Sequence, residues 1–135
     1  MIVIDTNILM SALIKDGLTR RILVHSGRRF AYPEIALEEI TRHRDLVLRK
    51  SGYTPNELDE VLSGLLRSVT LIATSAFQQD IARAAIVMRD IDITDTVFVA
   101  LALSLNATLW SDDAHLRKQN LVMVCTTSEM MNLSL

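Results

Sequence analysis

The sequence is poor in residues that cross-link, interrupt or rigidify a chain. Its single cysteine, Cys125, excludes an intramolecular disulfide and suits a reducing compartment. With 4 Gly and 2 Pro in 135 residues, there is little material for a long linker or a disordered tail. Aromatic residues make up only 4 %, which argues against a broad platform for stacking bases and leaves any core to Leu, Ile, Val, Ala and Met. The longest apolar run, Val97 to Leu103, is far short of the roughly 20 residues a membrane-spanning helix needs. No basic-then-apolar signal segment stands ahead of the first apolar stretch. A cytoplasmic protein without a membrane partner is expected. The histidines, His25, His43 and His115, are scattered without ligand spacing, so no Cys/His zinc site is expected.

What remains is aliphatic and regular. Half of the residues are apolar, and the length suits one domain, residues 1 to 135, with a substantial core. Net charge is −2, from 14 basic against 16 acidic residues, which does not by itself suggest a nucleic-acid binder. If four acids are gathered in one metal site, the rest of the chain carries 14 positive against 12 negative, or +2. Basic pairs recur at Arg20-Arg21, Arg28-Arg29, Arg49-Lys50 and Arg117-Lys118; such pairs are ordinarily solvated surface, with phosphate contact the alternative.

Apolar runs alternate with amphipathic stretches. Ile2 to Ile4 reads as a buried strand, followed by helices over Asn7 to Ile14 and Leu18 to His25, the second ended by Gly27 in a left-handed conformation. Phe30 to Tyr32 reads as a strand, and Pro33 as the start of one long helix reaching Lys50. Thr54-Pro55-Asn56-Glu57 predicts a capped helix start, with that helix running to Arg67. Further strands are predicted over Val69 to Ala73, Ala107 to Trp110 and Leu121 to Cys125, and helices over Ala76 to Arg89, Thr96 to Leu105 and Asp113 to Gln119, with a last one from Ser128. This alternation implies a three-layer α/β/α sandwich around a mostly parallel sheet.

The acids stand at particular places in this pattern. Asp5 ends the first strand, where α/β domains collect ligands, although a carboxylate there also suits a helix cap. On a helix advancing about 100° per residue, Glu39 lies amid Ile35 at about −40°, Leu46 at about −20°, Ala36 at about +60° and Val47 at about +80°. Glu38, at about −100°, falls among Arg42, Asp45 and Arg49, with Arg42 as an i,i+4 partner. Glu39 is thus expected to face inward, which is costly without a cation or a hydrogen-bond partner such as His43. Asp90, Asp92 and Asp95 precede the apolar helix from Thr96. The strand ending at Trp110 is followed by Ser111, a candidate cap for the next short helix, and by Asp112 and Asp113. Carboxylates gathered in one pocket raise one another's pKa unless a cation lies among them, and an all-oxygen set selects Mg²⁺ or Mn²⁺ over zinc.

Taken together, Ile2-Val3-Ile4-Asp5-Thr6-Asn7, Glu38-Glu39-Ile40, Asp92-Ile93-Thr94-Asp95 before Phe98 to Ala102, and Trp110-Ser111-Asp112-Asp113 resemble the PIN-domain ribonucleases of the VapC-toxin-like group over almost the whole chain. The resemblance implies an endoribonuclease for single-stranded RNA, dependent on Mg²⁺ or Mn²⁺, often the toxin of a toxin–antitoxin pair and a homodimer. It places the acidic quartet on Asp5, Glu39, Asp95 and Asp113, with Asp92 as an auxiliary ligand and Asp112 as flanking. Ser111 supplies the hydroxyl two positions before Asp113, where Thr is commoner. Asn7, Thr6 and Ser111 are candidates for orienting the carboxylates. Two other readings stay open. One is a PIN-like scaffold that binds RNA or protein without catalysis. The other is a haloacid-dehalogenase-like phosphatase, whose first motif needs an acid where this chain has Asn7.

Overall fold

A run of apolar residues with no polar alternation can be covered on both faces. Ile2–Ile4 forms such a strand, β1, with all three residues buried. In the computed structural model, which describes residues 1–133, β1 lies between β2 (Phe30–Pro33) and β4 (Thr108–Trp110), with β3 (Val69–Ile72) and β5 (Val124–Cys125) at the edges. All neighbouring strands are parallel, Ile2 standing opposite Phe30 on one side and Thr108 on the other. The chain builds outward from β1 to β3, then returns to β1 and builds the other way through β4 to β5. That reversal puts a topological switch between β1 and β4, and the crevice beyond the carboxyl ends of those two strands is where such sheets bind ligands.

Helices cover the sheet on both sides, giving the expected three layers. α1 (Thr6–Ile14) packs on α2 (Leu18–His25), α3 (Leu37–Arg42), α4 (Arg44–Ser51) and α5 (Pro55–Leu66). On the other face α7 (Thr96–Leu105) lies across β1, β2 and β4, with α6 (Ile81–Met88) alongside. Six of the ten α7 residues, Thr96 and Phe98 to Ala102, are buried, as its uniformly apolar sequence requires. α8 (Thr127–Leu133) closes the described chain. No helix among the described residues is long and apolar enough to cross a membrane.

Local signals with a mechanism survive intact. Thr54 Oγ1 accepts from the Glu57 N–H while Glu57 Oε1 accepts from the Thr54 N–H, closing the capping box at the start of α5. Gly27 has φ +75° just beyond α2. The long helix from Pro33 does not form. Pro33 is the last residue of β2, a 3₁₀ turn spans Glu34–Ala36, and His43 separates α3 from α4. At the break His43 takes φ −100° and ψ 14°, its N–H is shared between the Glu39 and Ile40 carbonyls as the helix tightens, and its ring Nδ1 also bonds to the Glu39 carbonyl. Similarly, the helix expected over Ala76 to Arg89 starts only at Ile81, because fully buried Phe77 takes φ −131° between two 3₁₀ turns.

The strand expected over Leu121 to Cys125 shrinks to Val124–Cys125. Here the cause is Gln119, a buried side chain with every polar atom in use. Its Oε1 accepts from the N–H groups of Leu121 and Val122, and its Nε2 donates to the carbonyls of Leu116 and Val122. Those backbone groups are therefore unavailable to a sheet ladder. Gln119→Leu would leave them without partners, and the expected loss is about 2–4 kcal/mol of unfolding free energy by urea titration. A loss below about 0.5 kcal/mol, the low end for a net hydrogen bond, would show that water replaces the amide.

Candidate active site

Asp5 begins α1 and is 4 % exposed. Its Oδ1 accepts from the Ile8 N–H at 2.9 Å, the cap bond expected of its position. The Ser111 hydroxyl lies near enough to lower its pKa as well. The two roles open from sequence, cap and cluster member, are compatible because a carboxylate has lone pairs for both. Burial pushes Asp5 up to about 6 against the pull of Ser111 and of the Ile8 bond, with Asp113 and Asp112 adding repulsion. Ser111, itself buried, accepts from the Asp113 N–H at 3.0 Å, so one hydroxyl faces both the end of β1 and the turn after β4.

Asp95 is the residue at which α7 begins, and it behaves unlike a cap. Its side chain accepts no backbone N–H. Burial pushes it up to about 7, followed by repulsion from Asp92, Asp5, Asp113 and Glu39 in that order. Every acid singled out from the sequence for this site, Asp112 aside, contributes to that field. The structure thus brings Asp5, Glu39, Asp92 and Asp113 within electrostatic reach of Asp95, near the switch point.

Glu39 sits in the first turn of α3 and is half-buried. Its neighbours differ from the helical-wheel expectation: Ile35 is 54 % exposed, because residues 34 to 36 form a 3₁₀ turn and do not share the helical advance. Burial raises its pKa, while a Thr6 hydrogen bond, Arg42 and His43 lower it and Asp92 raises it. His43 binds the Glu39 backbone, not its carboxylate. The expected Glu38–Arg42 ion pair does not form among the described residues; in an exposed position such a pair gains little, and Arg42 instead lends its field to Glu39.

The remaining acids serve turns. Asp92 Oδ1 accepts from the Thr94 N–H and hydroxyl, which hold its carboxyl below the usual range. Asp113, and not Ser111, caps the 3₁₀ segment Ala114–Lys118, through Oδ1 and the His115 N–H at 2.9 Å. Asp112 uses both oxygens on Thr127, at 2.7 Å from its N and 2.6 Å from its Oγ1, and thereby anchors α8. Asn7 is exposed and bonds none of the acids. Lying one residue short of the Ile8 N–H that Asp5 takes, it points outward, lining a cavity of about 230 Å³ with Ile8, Ser11, Asp112 and Asp113. Two groups near the acids carried no sequence signal. His115 Nδ1 lies 3.2 Å from Asp113 Oδ1, a consequence of the cap geometry. Tyr32 lies buried beneath Thr6 and reads from sequence only as strand.

The donor set is wholly carboxylate, which fits a hard divalent cation. Among the described residues, Asp5, Asp95 and Glu39 form no ion pair with Lys or Arg, so the protein itself leaves this charge largely uncompensated. No three acidic, histidine or cysteine side chains among the described residues stand close enough to form a ligand sphere as they are. Asp92 and Asp113 each have an oxygen engaged in a turn, which fixes where those two carboxylates stand.

Raised acid pKa values make stability depend on pH. A carboxylic acid whose folded pKa exceeds its unfolded value binds more protons in the folded state, so stability falls as pH rises through that window. For Asp5 and Asp95 the window runs from 3.8 to about 6 and about 7. In chelator, the melting temperature is expected to fall from pH 5 to pH 8, and Asp95→Asn is expected to flatten that slope. An unchanged slope in the variant would show that Asp95 is solvated in the folded protein.

A family model described as PIN domain matches residues 3–134. No curated protein matches the chain. Among solved structures, the chain is similar to one described as the crystal structure of VapBC2 from Rickettsia felis bound to a DNA fragment from their promoter. The similarity has a TM-score of 0.72 and 19 % identity, and covers 93 % of this chain and 98 % of the other; at that identity it supports the fold alone. With a wholly parallel five-stranded sheet and acids at the β1/β4 switch, the chain belongs to the PIN-domain family, whose members are generally nucleases.

Proposed function

We propose that the chain is an endoribonuclease that hydrolyses phosphodiester bonds of single-stranded RNA with Mg²⁺ or Mn²⁺. The observation that carries this reading is Asp95. It stands where a helix start invites a cap, makes no cap bond, and lies partly buried in the field of Asp92, Asp5, Asp113 and Glu39. A lone carboxylate held so is costly, and a cation would remove the cost. Asp5 and Asp95 would hold the ion, with Asp113 completing the set and Asp92 auxiliary. When bound, the ion supplies charge neutralisation and polarises the phosphoryl oxygen.

The chain's own groups do the rest. Ser111 orients Asp5 through its hydroxyl, and Thr6 does the same for Glu39. Glu39, half-buried and with its pKa raised, accepts the proton of the attacking water as that oxygen bonds to phosphorus and the ester oxygen departs. An antitoxin protein and a second copy of this chain are the partners the reading implies, the former because the similar Rickettsia felis structure is of VapBC2. Membership of the PIN-domain family and the lack of an acid at Asn7 set the phosphatase reading aside.

Purified protein is expected to cleave single-stranded RNA with Mn²⁺ and to rise in melting temperature on Mn²⁺ addition. Asp95→Asn should abolish both effects. Cleavage that survives chelation would sink the metal mechanism; no melting shift and no cleavage in the wild type would favour a binding scaffold. Because Asp112 spends both oxygens on Thr127, Asp112→Asn should keep cleavage within about threefold while costing about 0.5–2 kcal/mol, the range for a lost helix cap. Asp113→Asn, in contrast, should lose cleavage by at least about a hundredfold, as expected where a carboxylate acts electrostatically on the reaction. Equal activity in the two variants would overturn this division of roles.

A further inference from the structure

The reading above leaves unused two basic pairs far apart in sequence, Arg20-Arg21 and Arg49-Lys50. The fold brings them to one corner, because α1 packs against both α2 and α4. Arg20 joins three segments there. Its Nε donates to the Ala12 carbonyl at 2.7 Å, and its Nη2 to the Leu13 carbonyl at 3.1 Å and to Tyr53 Oη at 2.9 Å. The end of α1, the start of α2 and the chain just after α4 are thereby fixed to one another. A cavity of about 390 Å³ opens beside this joint, with Ser11, Lys15, Gly17 and Lys50 in its lining. The Lys15 stem lies over Gly17, where an added Cβ would meet Lys15 Cγ, Cδ and Cε at 3.7 to 3.8 Å.

A lysine near a helix C-terminus ordinarily answers the helix dipole and the last carbonyls. At α1 that work falls to Arg20, which holds the Ala12 and Leu13 carbonyls. Among the described residues, Lys15, Arg20, Arg21, Arg49 and Lys50 form no ion pair with an acid, and all but Arg20 are exposed. Asp16 beside Lys15 and Asp45 on α4 are too few to cancel them. The cavity also meets the crevice. Ser11 lines both this cavity and the one that holds Asn7, Asp112 and Asp113. Asn7 and Ser11, four residues apart, share a face of α1, and the helix advances about 12 Å from Asn7 to Lys15 at about 1.5 Å per residue. We propose that Lys15 and Lys50 bind a backbone phosphate of the RNA strand beyond the scissile one, the strand running from Asp113 along the Asn7–Ser11 face of α1. The proposal rests on the ribonuclease reading and deepens it. Acids that gather an ion at one phosphate repel its neighbours, and a chain of net charge −2 needs localised cations to hold them.

The test measures binding of a labelled single-stranded RNA of about 12 nucleotides, inside the usual span of single-strand sites, in chelator and over a range of salt. The full chain is compared as wild type, Lys15→Gln, Lys50→Gln, their double variant and Arg83→Gln. Arg83 is exposed on α6, across the sheet, and controls for loss of charge as such. Both lysines are exposed, so the variants keep the fold, checked by melting temperature. Each lysine lost should lower the salt slope by about 0.7, the value for one phosphate contact on a single strand, and the pair should weaken binding about tenfold at physiological salt. Arg83→Gln should leave the slope as it is. Equal slopes in wild type and the double variant would overturn the inference, as would an equal fall in Arg83→Gln or a wild type that binds no RNA. If the double variant keeps RNA but loses oligoglutamate, the occupant is an acidic protein segment and the inference ends there. The ribonuclease reading fails separately: a wild type that never cleaves with Mn²⁺, yet binds RNA with a slope that falls in the double variant, keeps the phosphate site and loses the catalytic one.

Discussion

Negative charge held at the carboxyl ends of β1 and β4, without matching positive charge, is the constraint around which the structure is organised. A buried carboxylate is tolerated when hydrogen-bond donors or a cation meet it. Asp5 has donors from a helix start and from Ser111, and Glu39 has Thr6. Asp95 has neither, and feels the other acids. The surrounding architecture follows from supporting this. The sheet reverses direction between β1 and β4, which opens the crevice. α7 is buried over Thr96 and Phe98 to Ala102, which keeps the start that carries Asp95 from moving away from the charge it opposes.

The acids singled out from the sequence divide by what their oxygens do. Those in short turns, Asp92 and Asp113, close local rings with an N–H two residues on, a geometry set by sequence-local chemistry. Asp112 does the same over a longer range, pinning α8 through Thr127, which also accepts from Trp110 Nε1. Asp90 and Glu38 stay at the surface. A turn bond leaves a carboxylate with free lone pairs, so Asp113 can serve both its turn and an ion, whereas Asp112 has committed both oxygens. Adjacent residues of identical chemistry are separated by where the next element begins.

Much of this was legible before any coordinates. The strand–helix alternation, the capping box at Thr54 and the left-handed Gly27 each rest on local rules, and local rules transfer. Asp5 and Asp95 were legible for the same reason, standing at a strand end and a helix start. The inward placement of Glu39 follows from an argument partly wrong in its particulars. The helical wheel assumed one helix from Pro33 to Lys50, yet Ile35 is exposed and the helix is broken at His43. The inward direction survived because Ala36, Ile40 and Val47 are buried, enough to define the face. What stayed hidden were particular side-chain hydrogen bonds: the local ones by which Gln119 shortens the last strand, and the long-range ones from Asp112 to Thr127 and from Tyr32 to Thr6. These depend on side chains meeting across 15 or more residues for the latter two, and no periodicity encodes them.

The hidden bonds also show why a site of repelling acids need not be a loose one. Coulombic repulsion is soft and long-ranged, so it spreads carboxylates without fixing any of them. Direction has to come from short-range donors anchored in something rigid. Tyr32 supplies the rigidity, its ring packed against Phe98 of α7 and its hydroxyl bonded to Thr6 and to the Ala36 carbonyl ahead of α3. Ser111 lies on the other side, buried just after β4, accepting from the Asp113 N–H and lowering the pKa of Asp5. The two hydroxyls flank the switch point, each tying a strand end to a helix or turn that carries an acid. The charge gathers the site, and the neutral hydrogen bonds beneath it determine where each carboxylate stands.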